Sequence, residues 1–295
     1  MDNYREEKNN NDIESSVLKK LSGINLNTDN LDQHFLVSSE IINCLVDAAG
    51  LTEEDVVMEI GPGPGQITEK IAKRAGLVYG IELDNRFRSL LEEVVKKNSN
   101  VHIVFNSALD IKWPLVNKMI MNPPFSILEP LIEKIISEPK IEKVSIVIGK
   151  NFCDRCFSSN LSSRTAFLVN AYFKCTKIME ISRDSFFPKS REKAVVMLLE
   201  RLNKNNTSSD LKFIADCILK IQDCSVRFIF QNLLSKKFKN KNKQGILPYI
   251  SLDVLEIPER TMKKRIRKLT NEDFGYIHEG ISRLMKIENS YKFKK

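Results

Sequence analysis

Two short stretches carry residue types whose order and spacing suit chemistry. The first is Glu59-Ile60-Gly61-Pro62-Gly63-Pro64-Gly65. Glycines at alternate positions let the backbone turn tightly and pass close to a ligand. A helix that follows such a turn offers free N–H groups at its start. The spacing is GxGxG rather than GxGxxG, and the two prolines remove donors that a pyrophosphate cradle needs. The loop therefore suits a nucleoside joined to an amino-acid carboxylate better than a dinucleotide. Glu82 lies 21 residues after Gly61, where a strand-end carboxylate can accept hydrogen bonds from both ribose hydroxyls of an adenosine moiety. Loop and acid in this order predict a nucleoside-cofactor site, against the plainer reading of a structural turn.

The second stretch is Asn122-Pro123-Pro124-Phe125. An exocyclic amino group of adenine has its lone pair delocalised into the ring, and the pair must be recovered before it can attack an electrophilic methyl group. Acceptors aimed at the two N–H bonds favour the pyramidal nitrogen. The Asn122 side-chain carbonyl and the Pro123 backbone carbonyl are such acceptors, and proline fixes the backbone without adding a donor. Phe125 gives a face for the base, and base–aromatic stacking contributes about 1–3 kcal/mol. No strong base is required, so orientation supplies most of the protein's contribution. The plainer reading is a rigid Asn-Pro turn.

These residues need elements to hold them. Apolar, β-branched runs at Val56–Ile60, Leu77–Leu83, Val101–Phe105, Lys118–Met121 and Val144–Ile148 read as strands. Helical patterns at Gln66–Ala75, Asn85–Lys97 and Leu128–Ser137 separate them, a βαβ alternation that predicts a parallel sheet. A helix over 38–49 precedes the first strand, with Ser39 as its N-cap, and another covers Thr165–Phe173. Cys175–Ile181 and Ala194–Leu199 are joined without a helix, which predicts an antiparallel hairpin at one sheet edge. The glycine loop, Glu82 and Asn122 then all fall at strand ends, on the carboxyl edge where open α/β sheets bind ligands. Residues 1–30 read as a flexible polar arm, 31–202 as the Rossmann-like α/β domain and 203–295 as a smaller basic helical domain. Helical patterns there lie near 211–234, 260–268 and 271–287.

The 295 residues carry a net charge of +8, unevenly spread. Residues 201–295 hold +11 and residues 1–200 hold −3. A basic module beside a nearly neutral one suggests a polyanion partner such as RNA, the alternative being a solvated basic surface. Six cysteines are scattered, and Cys153 and Cys156 form a lone CxxC without a second ligand pair, so neither a metal site nor a disulfide framework is expected. The first residues lack an apolar signal core and no run approaches a membrane span, so a cytoplasmic monomer is the default expectation.

Taken in order, Gln33-His34-Phe35-Leu36, the glycine loop with Thr68, Ile81-Glu82-Leu83-Asp84, Asn122-Pro123-Pro124-Phe125, Phe186-Phe187-Pro188-Lys189, Ala194-Val195-Val196 and Phe230-Gln231 resemble the small-subunit ribosomal RNA dimethyladenosine transferase A family, nearer its archaeal and eukaryotic branch. The resemblance covers roughly residues 31–290. It implies a Rossmann-like methyltransferase fold with a helical C-terminal domain and S-adenosyl-L-methionine as cofactor. It also implies methyl transfer to N6 of two adjacent adenines of small-subunit rRNA, on RNA or on a pre-ribosomal particle. By position the cofactor contacts are His34, Leu36, Gly61, Gly63, Glu82, Ser107 and Asn122. The target base lies against Phe125, with Phe186 as a second wall, beside Asn122 and Pro123.

The chain also departs from the family pattern. Ser107 stands where the family has an aspartate that contacts the cofactor's adenine amino group. NPPF replaces NLPY, Asp32 replaces a glycine, and Gly149–Arg155 lacks the family's glutamate. Phe230-Gln231-Asn232-Leu233-Leu234 lacks the basic residues of an arginine-rich helix. Lys236, Lys237, Lys239, Lys241 and Lys243 are the candidate RNA contacts in its place, though lysine does not reproduce arginine's bidentate geometry. These departures keep two further readings open: an rRNA-binding assembly factor with weakened catalysis, and an adenine N6-methyltransferase of another nucleic acid.

Overall fold

The computed structural model describes residues 14–24, 33–203, 209–221, 223–238 and 252–292. Helix α1 covers 14–22 and strand β1 covers Phe35–Leu36. Then follow α2 (Ser39–Ala48), β2 (Val56–Ile60), α3 (Gln66–Ala72), β3 (Leu77–Glu82), α4 (Arg88–Lys97), β4 (Val101–Phe105), β5 (Lys118–Met121) and α5 (Leu128–Ser137). After them come β6 (Lys143–Gly149), α6 (Lys150–Cys156), α7 (Arg164–Tyr172), β7 (Phe173–Ile181), β8 (Phe186–Phe187) and β9 (Ala194–Arg201). The chain closes with α8 (Ser209–Lys220), α9 (Val226–Phe238), α10 (Glu259–Lys263) and α11 (Asn271–Lys292).

The main sheet has the order β4-β3-β2-β5-β6-β9-β7. Strands β2 to β6 pair in parallel, as largely apolar strands joined through helices do. β9 enters antiparallel to β6, and β7 takes the edge beside it. The order reverses between β2 and β5, so the C-terminal ends of these two strands open the crevice in which the glycine loop and Asn122 sit. A core of Val57, Val78, Ile120, Val147 and Val196 with Ile42, Leu45, Ile67 and Ile71 from α2 and α3 packs against the sheet.

The described residues form two compact units, one from within 1–153 and 174–201, the other from within 154–173 and 202–295. The segment 154–173, read from sequence as part of the α/β domain, belongs instead to the helical unit. There Phe167 of α7 meets Phe274 of α11 with ring centroids 5.8 Å apart. Asp273 is buried and accepts from Thr261 Oγ1 at 2.7 Å and Lys264 Nζ at 2.6 Å, which staples the basic turn after α10 to α11.

Two local expectations are corrected, and one element is added. The polar arm is helical over 14–22, because Val17 and Leu21 stand one turn apart and bury against Phe35, Val37, Phe87 and Leu91. The N-cap of α2 is Ser38, not Ser39, and its side chain makes no capping bond. Residues after β6 form a short helix, α6, which the sequence reading left unassigned.

Candidate active site

A cavity of about 310 Å³ opens at the carboxyl edge of the sheet, within the ~300–1,000 Å³ range of small-molecule sites. The glycine loop forms one wall. Gly61, Gly63 and Gly65 all have positive φ (71°, 56° and 85°). At Gly63 a Cβ would stand 2.8 Å from Phe35 Cε1, so the loop and the β1 strand can only meet across a glycine. At Gly61 a Cβ would meet nothing within 4 Å, which leaves the backbone there open to a ligand. The glycine N–H groups are engaged internally: Gly61 donates to the Ile81 carbonyl at 2.9 Å, Gly63 to Glu82 Oε2 at 2.8 Å and Gly65 to the Pro62 carbonyl at 3.0 Å. None of these three donors is left for a pyrophosphate.

Glu82 ends β3 and holds the loop. Its Oε2 takes the Gly63 N–H, and its Oε1 takes the Asp84 N–H at 2.8 Å. An ionised carboxylate offers about four acceptor sites, so further lone pairs remain for ribose hydroxyls. Burial pushes the Glu82 carboxyl above its usual range, opposed by the N–H groups of Asp84 and Gly63. Behind it, Glu59 is almost wholly buried and accepts from Thr68 Oγ1 at 2.5 Å. Burial raises the Glu59 carboxyl to about 8, with Thr68 opposing and the Glu82 charge adding to the shift.

β1 pairs antiparallel with β8, placing Phe35 opposite Phe187 and Leu36 opposite Phe186. His34 Nδ1 lies 2.9 Å from the Pro188 carbonyl. Asn122 Nδ2 donates to the His34 carbonyl at 2.8 Å, which commits its nitrogen to the protein and turns its Oδ1 the other way. Phe125 is half-buried and Phe186 is 4% exposed, and both line the cavity with Pro123 and Pro124. Ser107, after β4, also lines the cavity, and its Oγ accepts from the Leu109 N–H at 3.3 Å.

The cavity thus brings together His34, Gly61, Gly63, Glu82, Ser107, Asn122, Pro123, Phe125 and Phe186. Leu36 does not join them. Strand alternation turns its side chain into the core and sets Phe35 on the cavity wall, while the Leu36 carbonyl accepts from Gln66 Nε2 at 3.1 Å. Lys236 is exposed on α9, 5.2 Å from the Phe213 ring. Lys237 lies on the same helix. Lys239, Lys241 and Lys243 lie outside the described residues.

Sequence reasoning missed Gln66, Asp84 and Asn106, all on the cavity wall. Asp84 accepts from Gln33 Nε2 at 3.0 Å and is paired with Arg86, tying the start of β1 to the end of β3. Its place two residues after Glu82 was the available signal. Gln66 is 7% exposed, and its Oε1 is buried without a hydrogen-bond partner. That orphaned acceptor, the open face at Gly61 and the spare lone pairs of Glu82 fit a nucleoside with an attached ammonium group. Cys153 and Cys156 are buried thiols, and among the described residues no group of three or more His, Cys, Asp or Glu is arranged to hold a metal ion.

The family model for ribosomal RNA adenine dimethylase matches residues 24–271. The chain belongs to this family. Members are S-adenosylmethionine-dependent methyltransferases of rRNA adenines, and the chain is an enzyme of this class. A Clostridium botulinum relative, ribosomal RNA small subunit methyltransferase A, is 30% identical and matches 85% of this chain and 93% of its own. A Pyrococcus furiosus protein, described as a probable methyltransferase of the same name, is 30% identical and matches 85% and 90% of the two chains. The structure of a Plasmodium falciparum dimethyladenosine transferase superposes with a TM-score of 0.59 at 24% identity, over 85% of this chain and 98% of that one. That likeness supports the fold: the Rossmann-like sheet and the helical C-terminal part are those of the dimethylase family.

Proposed function

We propose that this rRNA adenine dimethyltransferase acts on N6 of two adjacent adenines in small-subunit rRNA, and that the cavity described above is its active site. The observation that carries the reading is the commitment of Asn122 Nδ2 to the His34 carbonyl, which leaves Oδ1 as the free end of the amide. Oδ1 and the Pro123 carbonyl accept from the two N–H bonds of the target amino group, so its lone pair is drawn out of the ring toward the donor. Phe125 gives the base its stacking face, and Phe186, packed in the same core as Leu36, bounds the cavity as its second wall. S-adenosylmethionine supplies an electrophilic methyl group. Glu82 binds its ribose, Gln66 Oε1 takes its ammonium, Ser107 reads its adenine amino group and the loop at Gly61 passes beside it. The product proton leaves to water, so the chain needs no base of its own.

Lys236, Lys237, Lys239, Lys241 and Lys243 contact the RNA backbone in this reading. The protein works in the cytoplasm as a monomer on RNA or on an immature small subunit. Among the described residues, no helix is long and apolar enough to cross a membrane.

The test is transfer of labelled methyl groups to purified small-subunit RNA and to immature small subunits, with wild type and Asn122→Ala compared. Labelled dimethyladenosine with wild type alone is the expected result. Label confined to DNA or to unrelated RNA would remove the assignment of substrate, and tight RNA binding without label would return the assembly-factor reading.

A further inference from the structure

We propose that Lys134, outside the cavity, is a positioning residue that sets how tightly the enzyme reads the cofactor's adenine. The proposal rests on the reading that Ser107 and its neighbours hold the adenine.

Lys134 lies on α5 and does not line the cavity. Its Nζ donates to three backbone carbonyls of one turn: Ala108 at 2.8 Å, Leu109 at 3.0 Å and Ile111 at 2.5 Å. An ammonium has three donors, so this turn saturates it. The same Nζ stands 4.7 Å from the centre of the Trp113 ring, and Trp113 Nε1 gives a second hydrogen bond to the Ala108 carbonyl at 2.8 Å. Ser107, Ala108 and Leu109 form the cavity wall on that side. Within the turn, Ser107 N–H bonds Asn106 Oδ1 at 2.7 Å, but the bonds that follow are longer: Leu109 N–H to Ser107 Oγ at 3.3 Å and Asp110 N–H to the Ser107 carbonyl at 3.2 Å. Asn106 N–H, at the start of this wall, bonds the Glu82 carbonyl at 2.9 Å; charge-assisted bonds are about twice as strong as neutral ones, so the ammonium is the strong tie on the side that runs from Ala108 to Ile111.

Three carbonyls converging on one point repel each other unless a cation sits between them. Lysine suits that point, because its compact charge directs donors around a cone, whereas arginine presents a flat fork. The other half of α5, through Leu128, Leu131, Ile132, Ile135 and Ile136, is buried in the domain. Helix α5 also begins directly after Asn122-Pro123-Pro124-Phe125 and the single turn Phe125–Ile127. One rigid element therefore runs from the acceptor tetrapeptide to the turn that faces the adenine.

The test is calorimetric titration of the full chain with S-adenosylhomocysteine and with its inosine counterpart, in which oxygen replaces the adenine amino group. Wild type, Lys134→Met and Lys134→Arg are compared, after thermal melting has identified which variants are folded. Wild type is expected to prefer the adenine ligand. In Lys134→Met its affinity should fall about tenfold, the equivalent of about one lost hydrogen bond, while the inosine ligand binds as before. Lys134→Arg keeps the charge under the turn and should show a smaller loss of the same preference, which secures the test if Lys134→Met does not fold. An unchanged preference in the folded variants, or an equal loss for both ligands, would overturn the proposal. Failure of wild type to bind either ligand would instead remove the cofactor reading on which it rests.

Discussion

At the scale of single residues, the site depends on side chains whose polar atoms are already committed to the protein. Asn122 illustrates this: with Nδ2 on the His34 carbonyl, its role falls to Oδ1. Asn122→Ala should lower kcat about 100-fold, the usual cost of misorienting a reacting group. Its affinity for S-adenosylhomocysteine should change less than about tenfold. Single-turnover methyl transfer alongside titration separates the two, and equal losses in both would shift Asn122 to cofactor binding alone. Glu59 makes a different prediction. Its folded-state carboxyl titrates near 8 against an ordinary 4.5, so the folded chain retains a proton that the unfolded chain releases. The associated stability is complete below about 4.5 and declines as pH rises toward 8. Glu59→Gln should flatten that part of the stability–pH curve, recovering on the order of 2–4 kcal/mol at pH 8 relative to pH 5. Denaturant unfolding at the two pH values checks this; parallel curves for the variant and the wild type would show that Glu59 ionises normally.

At the scale of elements, the sheet supplies position and the loops supply chemistry. α1 is an addition to this scheme. It buries Val17 and Leu21 and sends Lys20 Nζ to the Pro64 carbonyl, in the glycine loop, at 3.2 Å. Leu21→Ala should cost about 2–4 kcal/mol by urea unfolding; a cost near zero would mean that the helix does not pack in solution. The parallel strands were legible because each is an apolar, β-branched run next to a turn, and their bounds in the structure differ little from those read. α1 was hidden by the polar residues around Val17 and Leu21, and α6 by its length and by Lys150, Asn151, Asp154 and Arg155. The pairing of β1 with β8 could not be read, since two residues on each side carry no pattern. Within the site, glycines, Glu82 and Asn122 announce themselves by type and spacing. Gln66 and Lys134 do not, because the roles proposed for them rest on a buried amide oxygen and on bonds to backbone carbonyls, which only three-dimensional placement reveals.

At the scale of the whole molecule, charge is divided as the sequence indicated, with +11 in residues 201–295 and −3 in the rest. If the lysines at 236–243 meet phosphates, replacing Lys236, Lys239 and Lys243 by Gln should make the slope of log K for RNA against log salt shallower by about 2. An unchanged slope would take that stretch out of the interface and leave the basic turn at 260–268 to be tried next.

The Asn122–His34–Pro188 connection has a consequence for the folding of the chain. His34 and Pro188 are 154 positions apart, and Asn122 reaches His34 across 88. Contacts between such distant segments are completed late, once the entropy of closing the intervening loop has been overcome. The cavity wall joined by these three residues is therefore complete only when residues 34, 122 and 188 are all in place, whereas the glycine loop is closed by bonds within residues 61–82.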